Sequence, residues 1–450
     1  MGIANPRLNM LKYPMRILAS ELAKVALTGC GAEIEASGWV HRIRDMGGVN
    51  FIILRDRSGL IQLVLNEKPD LTLESVIRVR GKPALNEKAP GGAEILVSSI
   101  EVLSPAGAEL PFQVNGDVTK TGLEAILDNR ALSLRSPKIR SIFKVQATII
   151  EAFSAYLRSK DFTEIKTSKL VNSATEGGAG LFEVIYFDRK LCLAQSPQAY
   201  KETMVASGLE RVFEVAPAYR AEKHDTPRHL NEYVSMDIEV GFIESELDLI
   251  EIERGLLAYI FEQVALKNSE DLAAWNAEVP NAQAVAASPV VPYEEALQIA
   301  NNEAARNAGK NKPSRIFDIN PEAERLICEW SAREKGSELV FVNEFPRRYR
   351  PFYTYPKGTS GTMSFDALFR GLEITTGGRR QDSYDELKEI LPKFGLKAEN
   401  MESYLSIFRY GCPPHGGFAI GCERLTQKIL GLANVKEASL FPRDRKRFEP

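Results

Sequence analysis

Cysteine is scarce in this chain, and charge of one sign, long apolar runs and a phosphate-binding loop are missing. The five cysteines stand at 30, 192, 328, 412 and 422, with no CxxC pair and no disulfide spacing. That points to a reducing compartment and away from structural zinc. No apolar run is long enough to span a bilayer, and residues 1–24 lack a signal-peptide pattern; the expectation is a cytoplasmic protein with no membrane association. The formal net charge is only −3, so any nucleic-acid contact must come from local basic patches and not from a global field. GxxxxGK(S/T) does not occur, so any nucleotide must be held by side chains and not by a P-loop. Internal repeats and low-complexity tracts are absent too. At 450 residues, 44% hydrophobic and 26% charged, the chain reads as a globular protein of two or three domains.

A short leader and a helix around 17–26 come first. Between 32 and about 103 lie five strand-like runs, IEASGWVHRIR, VNFIILRD, LIQLVLNE, SVIRVRG and AEILVSSIEVL, separated by glycine and proline turns. Five short strands in so few residues predict a small closed barrel of the OB type. Trp39 and Phe51 with Arg42, Arg44, Arg55, Arg78 and Arg80 are the aromatic and cationic mixture that such barrels use on single-stranded nucleic acid; core aromatics with solubilising arginines fit the same residues. Residues 106–140 read as a linker. From 141 to 160, Val145, Ile149, Phe153 and Leu157 at four-residue spacing predict an amphipathic helix. Antiparallel strands then mix with helices without a βαβ rhythm, giving an α+β class. Residues from about 270 to 345, rich in alanine, asparagine and proline, read as an insertion carrying less chemistry.

The most informative stretch runs from 212 to 242, VFEVAPAYRAEKHDTPRHLNEYVSMDIEVGF. It alternates as two strands around a polar loop. Val234, Met236, Ile238, Val240 and Phe242 fall on one face, and Tyr233, Ser235, Asp237 and Glu239 on the other. In the first half Arg220 and Glu222 lie on the polar side. The face is either an ordinary wet side of an antiparallel hairpin or the floor of a nucleotide site, with Lys223, His224, Arg228 and His229 in the loop where a triphosphate would sit.

FEVAPAYRAE…RHLNEYVSMDIE resembles motif 2 of the class II aminoacyl-tRNA synthetases, GFAIGCERL their motif 3, and the helix and strand before Leu170 their motif 1. ATEGGAGLF, QSPQAYKE, RAEKHDTPRHLNE, GLEITTGGRR, YGCPPHGGF and FPRDRKR resemble, in order and over nearly the whole chain, the aspartyl-tRNA synthetases in their compact archaeal-type form. The resemblance implies an OB-fold anticodon-binding domain over 1–105, a linker or hinge over 106–140, and a class II catalytic domain over 141–450, an antiparallel sheet flanked by helices. It implies an enzyme that uses ATP and Mg2+ to join L-aspartate to tRNA, working as a homodimer.

The same resemblance implies the site. Arg220, Glu373 and Arg424 are its catalytic set. Aspartate falls to Glu176, Gln198, Ala199, Tyr200, Lys201, Arg220, Thr376 and Arg380, with Lys201 and Arg380 as the cations that favour a carboxylate over a carboxamide. Gly177, Gly178 and Gly180 suit a lid over the amino acid. ATP falls to Arg220, Ala221, Glu222, Arg228, His229, Leu230, Tyr233, Glu373, Gly421, Cys422, Glu423 and Arg424, with Tyr233 and Arg424 sandwiching adenine. Glu373 and Thr376 are the metal positions. In the barrel, Arg44, Phe51 and Gln62 match anticodon contacts. Histidine and proline at His41 and Pro90, where members confined to tRNA(Asp) carry tryptophan and lysine, resemble the relaxed enzymes that charge tRNA(Asp) and tRNA(Asn), the second product then going to a tRNA-dependent amidotransferase. The chain departs from the family where motif 1 places a proline: it reads Lys166-Thr167-Ser168. Strict tRNA(Asp) specificity, an asparaginyl-type relative, a tRNA-binding paralogue without aminoacylation and an amide-forming paralogue are the competing readings.

Overall fold

A computed structural model describes residues 16–28, 32–46, 49–67, 69–107, 109–172, 180–222, 225–308 and 314–449. Glu176, Gly177, Gly178, Lys223, His224 and Cys30 lie outside these residues. The chain divides into two compact units, 1–122 and 123–450.

In the first unit, helix α1 (Ala19–Leu27) accompanies strands β1 (Ile34–Asp45), β2 (Asn50–Arg55), β3 (Leu60–Leu65), β4 (Val76–Leu85) and β5 (Ala93–Ser104). They close into a barrel in the order β1-β2-β3-β5-β4, with only the β3–β5 pair parallel. Alternation sends Val40, Ile52, Leu54, Ile61, Leu63, Ile77, Val79 and Ile95 inward against Leu22 of α1. Among the described residues this core is aliphatic, so Trp39 and Phe51 are not its filling. The expected arginine patch is smaller than the count of arginines. Arg55 is buried against Glu74, and Arg78 and Arg80 pair with Glu35 and Glu101.

The second unit carries an eight-stranded sheet built from β6 (Thr163–Glu164), β7 (Arg211–Tyr219), β8 (Glu232–Gly241), β9 (Val290–Pro292), β10 (Leu339–Asn343), β11 (Ser364–Phe369), β12 (Leu372–Arg379) and β13 (His415–Gly421). Their order is β9-β10-β11-β12-β13-β8-β7-β6, antiparallel except for the two outermost pairs. Helices α2 (Pro137–Arg158), α4 (Glu246–Lys267) and α6 (Cys422–Leu430) pack their apolar stripes on one face, with Ile149, Phe153, Leu256, Phe261 and Leu425 meeting Phe213, Ile238, Phe341, Ile374 and Phe418. Between them in the chain, α3 (Gln198–Met204) packs at the side and α5 (Pro321–Lys335) follows the β9 strand. Each long helix has a readable start: Pro137 opens α2, and at α4 Ser245 Oγ accepts from Leu247 N at 3.2 Å while Asp248 accepts from Ser245 N at 3.0 Å.

Three expectations change. Residues 123–140, the latter part of the predicted linker, are largely helical and belong to the second unit, where Ile126, Leu127 and Ile139 are buried. The stretch 270–345, expected to be an insertion carrying less chemistry, supplies β9 and β10 to the central sheet and, through Glu324 of α5, holds Arg228 and the Glu373 backbone N–H. Phe242 leaves the apolar face of β8, since the strand ends at Gly241 and Phe242 turns outward with φ +61° and 69% exposure.

Beneath the sheet, α4 buries Glu253 at 0% exposure. Burial pushes its carboxyl up to about 8, the nearby Thr375 hydroxyl offsetting this in part and nearby Asp366 adding to it. The folded chain therefore holds Glu253 protonated where the unfolded chain ionises it, so this residue lowers stability progressively between its ordinary value of 4.5 and about 8. Glu253→Gln is expected to raise the melting temperature at pH 8 and to leave it unchanged at pH 4.5, as read by scanning calorimetry; an equal shift at both values would show that protonation is not the cause.

Candidate active site

The face of the sheet opposite the helices floors a cavity of about 750 Å³, a size that suits a nucleotide with a small second ligand. Strand alternation explains its lining. Met236 and Ile238 point into the core while Ser235 and Asp237 point into the cavity, and Phe418 and Ile420 alternate with Ala419 and Gly421 in the same way. The sequence-derived residues Gln198, Lys201, Arg220, Glu222, Arg228, His229, Leu230, Tyr233, Glu373, Thr376, Arg380, Gly421, Glu423 and Arg424 all line this one space.

One end is a buried charge frame. Lys201, on α3, places Nζ 3.1 Å from Asp237 Oδ1, 3.2 Å from the Ile238 carbonyl and 3.2 Å from Glu239 Oε2. Arg380, just past β12, donates from Nε to Glu239 Oε1 at 2.9 Å, and from Nη2 to Glu239 Oε2 at 3.3 Å and to the Gly417 carbonyl at 2.9 Å. Burial would raise the Glu239 carboxyl, but Arg380 and Lys201 hold it below the usual range. Gly417 makes this approach possible, since a Cβ there would lie 2.1 Å from the Ile238 carbonyl oxygen and 2.3 Å from Glu239 Oε2. Nε and Nη2 are thus engaged, and among the described residues Nη1 has no hydrogen-bond partner, which suits it to a ligand. Tyr353 stacks beneath the guanidinium, 5.4 Å from carbon to ring centre.

The other end gathers arginines around a carboxylate. Arg424 Nη1 donates to the Glu373 carbonyl at 3.0 Å and to Glu373 Oε1 at 3.3 Å, and Thr376 Oγ1 donates to the same carboxylate at 3.2 Å. Burial opposes ionisation of Glu373, yet Arg424, Arg350 and Arg220 hold its carboxyl low. Arg350 Nη2 lies 2.8 Å from Asp366 Oδ1, and burial pushes that carboxyl up to about 7. The Arg220 guanidinium carbon sits 5.6 Å from the centre of the Tyr233 ring.

The loop between β7 and β8 is tied down by the end of the chain. Lys436 bridges Asp225 at 2.8 Å and Asp444 at 2.6 Å, Asn231 N donates to the Arg443 carbonyl at 2.8 Å, and His229 Nδ1 meets Thr226 Oγ1 at 2.6 Å. Arg228 is gripped by Glu324 of α5, whose carboxylate also accepts from Glu373 N at 2.9 Å.

Not every sequence-derived residue faces the cavity. Cys422 is fully buried in the apolar core, and Ala199, Tyr200 and Ala221 are not in the lining. Glu423 lines it while its carboxylate accepts from Val234 N at 3.1 Å, and burial raises it to about 7. Glu176 lies outside the described residues. Asp237 and Glu239 stood on the polar face of the hairpin in the sequence without a role; their spacing was the signal. Glu324, Arg350, Asp366 and Tyr353 had none, being brought in by tertiary structure.

On the barrel, Arg44 faces Phe51 across the β1–β2 ladder, and the next rung joins Arg42, Ile53 and Gln62 on the same face. Gln62 Nε2 donates to Glu94 at 2.8 Å. His41 sits at a bulge in β1, where its Nδ1 meets Arg55 Nη1 at 2.8 Å. Arginine only donates, so Nδ1 accepts and the imidazole N–H is on Nε2. Burial, then the Arg55 charge, lowers the His41 pKa. Pro90 opens the turn between β4 and β5, followed by Gly91 and Gly92 at φ +70° and +78°.

Known proteins carry the same two parts. The profile of the tRNA synthetases class II (D, K and N) matches residues 122–445, and that of the OB-fold nucleic acid binding domain matches 34–103. The aspartate–tRNA(Asp/Asn) ligase of Thermus thermophilus is 45% identical over 97% of this chain and 100% of its own length. The aspartate–tRNA(Asp) ligase of Pyrococcus horikoshii is 39% identical over 93% of this chain and 97% of its own. The crystal structure of asparaginyl-tRNA synthetase from Pyrococcus horikoshii with asparaginyl-adenylate superposes with a TM-score of 0.83 at 29% identity, covering 93% of this chain and 96% of that one. With that sheet, that cavity and that barrel in one chain, the protein belongs to the class II tRNA synthetases of the D, K and N group.

Proposed function

We propose that the chain is an aspartate–tRNA ligase that charges both tRNA(Asp) and tRNA(Asn), acting in the cytoplasm. The observation that carries the amino acid is Arg380, locked side-on to Glu239 and keeping Nη1 for a ligand carboxylate. A carboxamide there offers one neutral acceptor oxygen, a weaker partner for the guanidinium than a charged carboxylate. Lys201, whose three N–H groups meet Asp237, Ile238 and Glu239, supplies charge and holds those acids in place.

In the first step a carboxylate oxygen of aspartate attacks the α-phosphorus of ATP. The acyl–phosphate bond forms as the bond to the bridging oxygen breaks, and pyrophosphate leaves with that electron pair. Two anions must approach, so fixed cations matter most where charge accumulates. Arg220, lining the cavity between the two ends, suits the α-phosphate and the attacking carboxylate. Arg228, His229, Glu222 and Leu230 line the nucleotide side, with Tyr233 and Arg424 for the base. In the second step a terminal ribose hydroxyl of the tRNA attacks the acyl carbon, the acyl–phosphate bond breaks, and AMP departs with that electron pair as the hydroxyl proton passes to its phosphate.

Mg2+ fits the residues present. Glu373 is held ionised and Thr376 adds a hydroxyl oxygen; among the described residues no three histidine, cysteine or acidic groups gather to cage a metal. Two oxygen ligands suit an ion that keeps water and phosphate as its remaining ligands. When bound, it would neutralise phosphate charge.

For the tRNA, Arg44 and Phe51 offer a cation and a stacking ring, and Gln62, with Nε2 given to Glu94, offers Oε1 to a uridine N3–H. His41 presents Nε2–H, which the O2 acceptor common to cytosine and uracil satisfies equally, and Pro90 adds no cation to distinguish the third anticodon base. An aspartyl-tRNA(Asn) product would pass to a tRNA-dependent amidotransferase. Two chains are proposed to pair through the segment around 163–171. There Glu214 accepts from Thr167 N at 2.7 Å, Thr167 Oγ1 at 2.7 Å and Lys169 Nζ at 3.0 Å, fixing the backbone that lacks the family's proline.

Charging of both purified tRNAs with labelled aspartate is the expected result; charging of tRNA(Asp) alone overturns the relaxed reading, and charging of neither overturns the enzyme. His41→Trp with Pro90→Lys should weaken charging of tRNA(Asn) selectively, whereas equal loss on both tRNAs would count against these positions. Arg220→Ala is expected to lower aspartate-dependent pyrophosphate exchange by about 10²-fold or more; near-normal exchange refutes its role.

A further inference from the structure

Behind the amino-acid end of the cavity lies a closed polar network that the reaction chemistry does not use. Glu202, one helical turn after Gln198 on α3, has no solvent exposure, and it does not line the cavity. Its Oε1 accepts from Gln198 Nε2 at 2.7 Å. Its Oε2 accepts from Tyr404 Oη at 2.7 Å and lies 3.4 Å from His415 Nε2. The other ring nitrogen, His415 Nδ1, is 2.9 Å from the Pro413 carbonyl, which only accepts, so Nδ1 carries a proton.

We propose that Glu202 is the positioning residue for the substrate ammonium: by taking the amide N–H of Gln198 it turns Gln198 Oε1, an acceptor only, into the cavity. This rests on the aspartate reading above. A carboxylate has no N–H of its own to offer, so the amide of Gln198 has one orientation that satisfies both groups. A free glutamine would present a donor or an acceptor with equal ease; one facing Glu202 presents an acceptor, which matches an ammonium and repels nothing on it. Tyr404 and His415 keep the carboxylate from turning. His415 is itself held charged, since burial would lower its pKa but the contacts with Cys412 and Glu202 raise it well above the usual value.

The consequence is specific to the amine and separable from recognition of the side-chain carboxylate, which lies with Arg380. In Glu202→Gln the new amide oxygen is retained by the donors Tyr404 and His415, so the new NH2 faces Gln198. Gln198 must then turn its Oε1 inward and its NH2 toward the ammonium. Three measurements on the full-length protein test this. Aspartate-dependent pyrophosphate exchange gives the KM for aspartate and for ATP, and inhibition by succinate, which has both carboxylates and no amine, reports the rest of the pocket.

In Glu202→Gln the KM for aspartate is expected to rise about tenfold or more, while succinate inhibition and the KM for ATP stay within about twofold. Adding Gln198→Glu restores an acceptor to the cavity and is expected to recover most of the aspartate affinity. Parallel loss of aspartate and succinate binding, or no rescue by the second substitution, overturns the proposal and leaves Glu202 a structural residue; an unchanged KM for aspartate in Glu202→Gln overturns it outright. If the unaltered protein shows no aspartate-dependent exchange, it is the aspartate reading that has failed.

Discussion

Four buried charges set what this site can do. Lys201 and Arg380 would each be costly in a cavity floor without partners, and so would Asp237 and Glu239. Together they form a neutral frame in which every ion has a partner at hydrogen-bond distance. The frame is rigid because it ties α3, β8 and the end of β12 to one another, and because Gly417 lets the chain of β13 pass close over Glu239. Neutrality also explains selectivity. A surplus cation would attract any anion, whereas a compensated frame with one guanidinium nitrogen left over asks for a carboxylate in one place and orientation.

The rest of the cavity depends on this frame for its geometry. β8 carries Asp237 and Glu239 at one end and Tyr233 at the other, so fixing the acids fixes the register of the strand that also presents the ring to Arg220. The far end has its own anchor. Glu324, from the segment between β9 and β10, holds Arg228 and the backbone of Glu373, linking the β7–β8 loop to β12. The chain's last residues brace the same loop through Lys436 and Asp444. Elements distant in sequence are therefore needed to hold in place the loop and the carboxylate on which Arg228 and Glu373 depend.

Much of this was legible from residue order. Strict alternation in 212–242 separated the apolar from the polar face except at Phe242, where a positive φ ends the strand, although polar-face Glu214 and Glu239 are buried in ion pairs and do not line the cavity. The barrel's strands were legible for the same reason, as period two survives in short runs bounded by glycine. Fourteen of the amino-acid and nucleotide positions that the resemblance implied line one cavity; Cys422, Ala199, Tyr200 and Ala221 do not, and Glu176 lies outside the described residues. Boundaries were less legible: 123–140 joins the second unit because its apolar residues find partners there, a fact that composition does not encode. The segment read as an insertion supplied Glu324, because a carboxylate's role depends on what lies across from it.

Local pattern thus determined on its own the α+β class, the five-stranded barrel, the polar hairpin face and the residue types able to meet a nucleotide and an amino acid. Those are properties of neighbours in the chain, where side-chain direction follows from backbone period. Tertiary structure alone decided which charges are compensated, which way the amides of Gln62 and Gln198 point, and which nitrogen of His41 bears its proton. Each of those depends on a partner remote in sequence, Glu94 for Gln62, Arg55 for His41, Tyr404 and His415 behind Glu202, and hydrogen-bond direction is fixed only when both groups are in place.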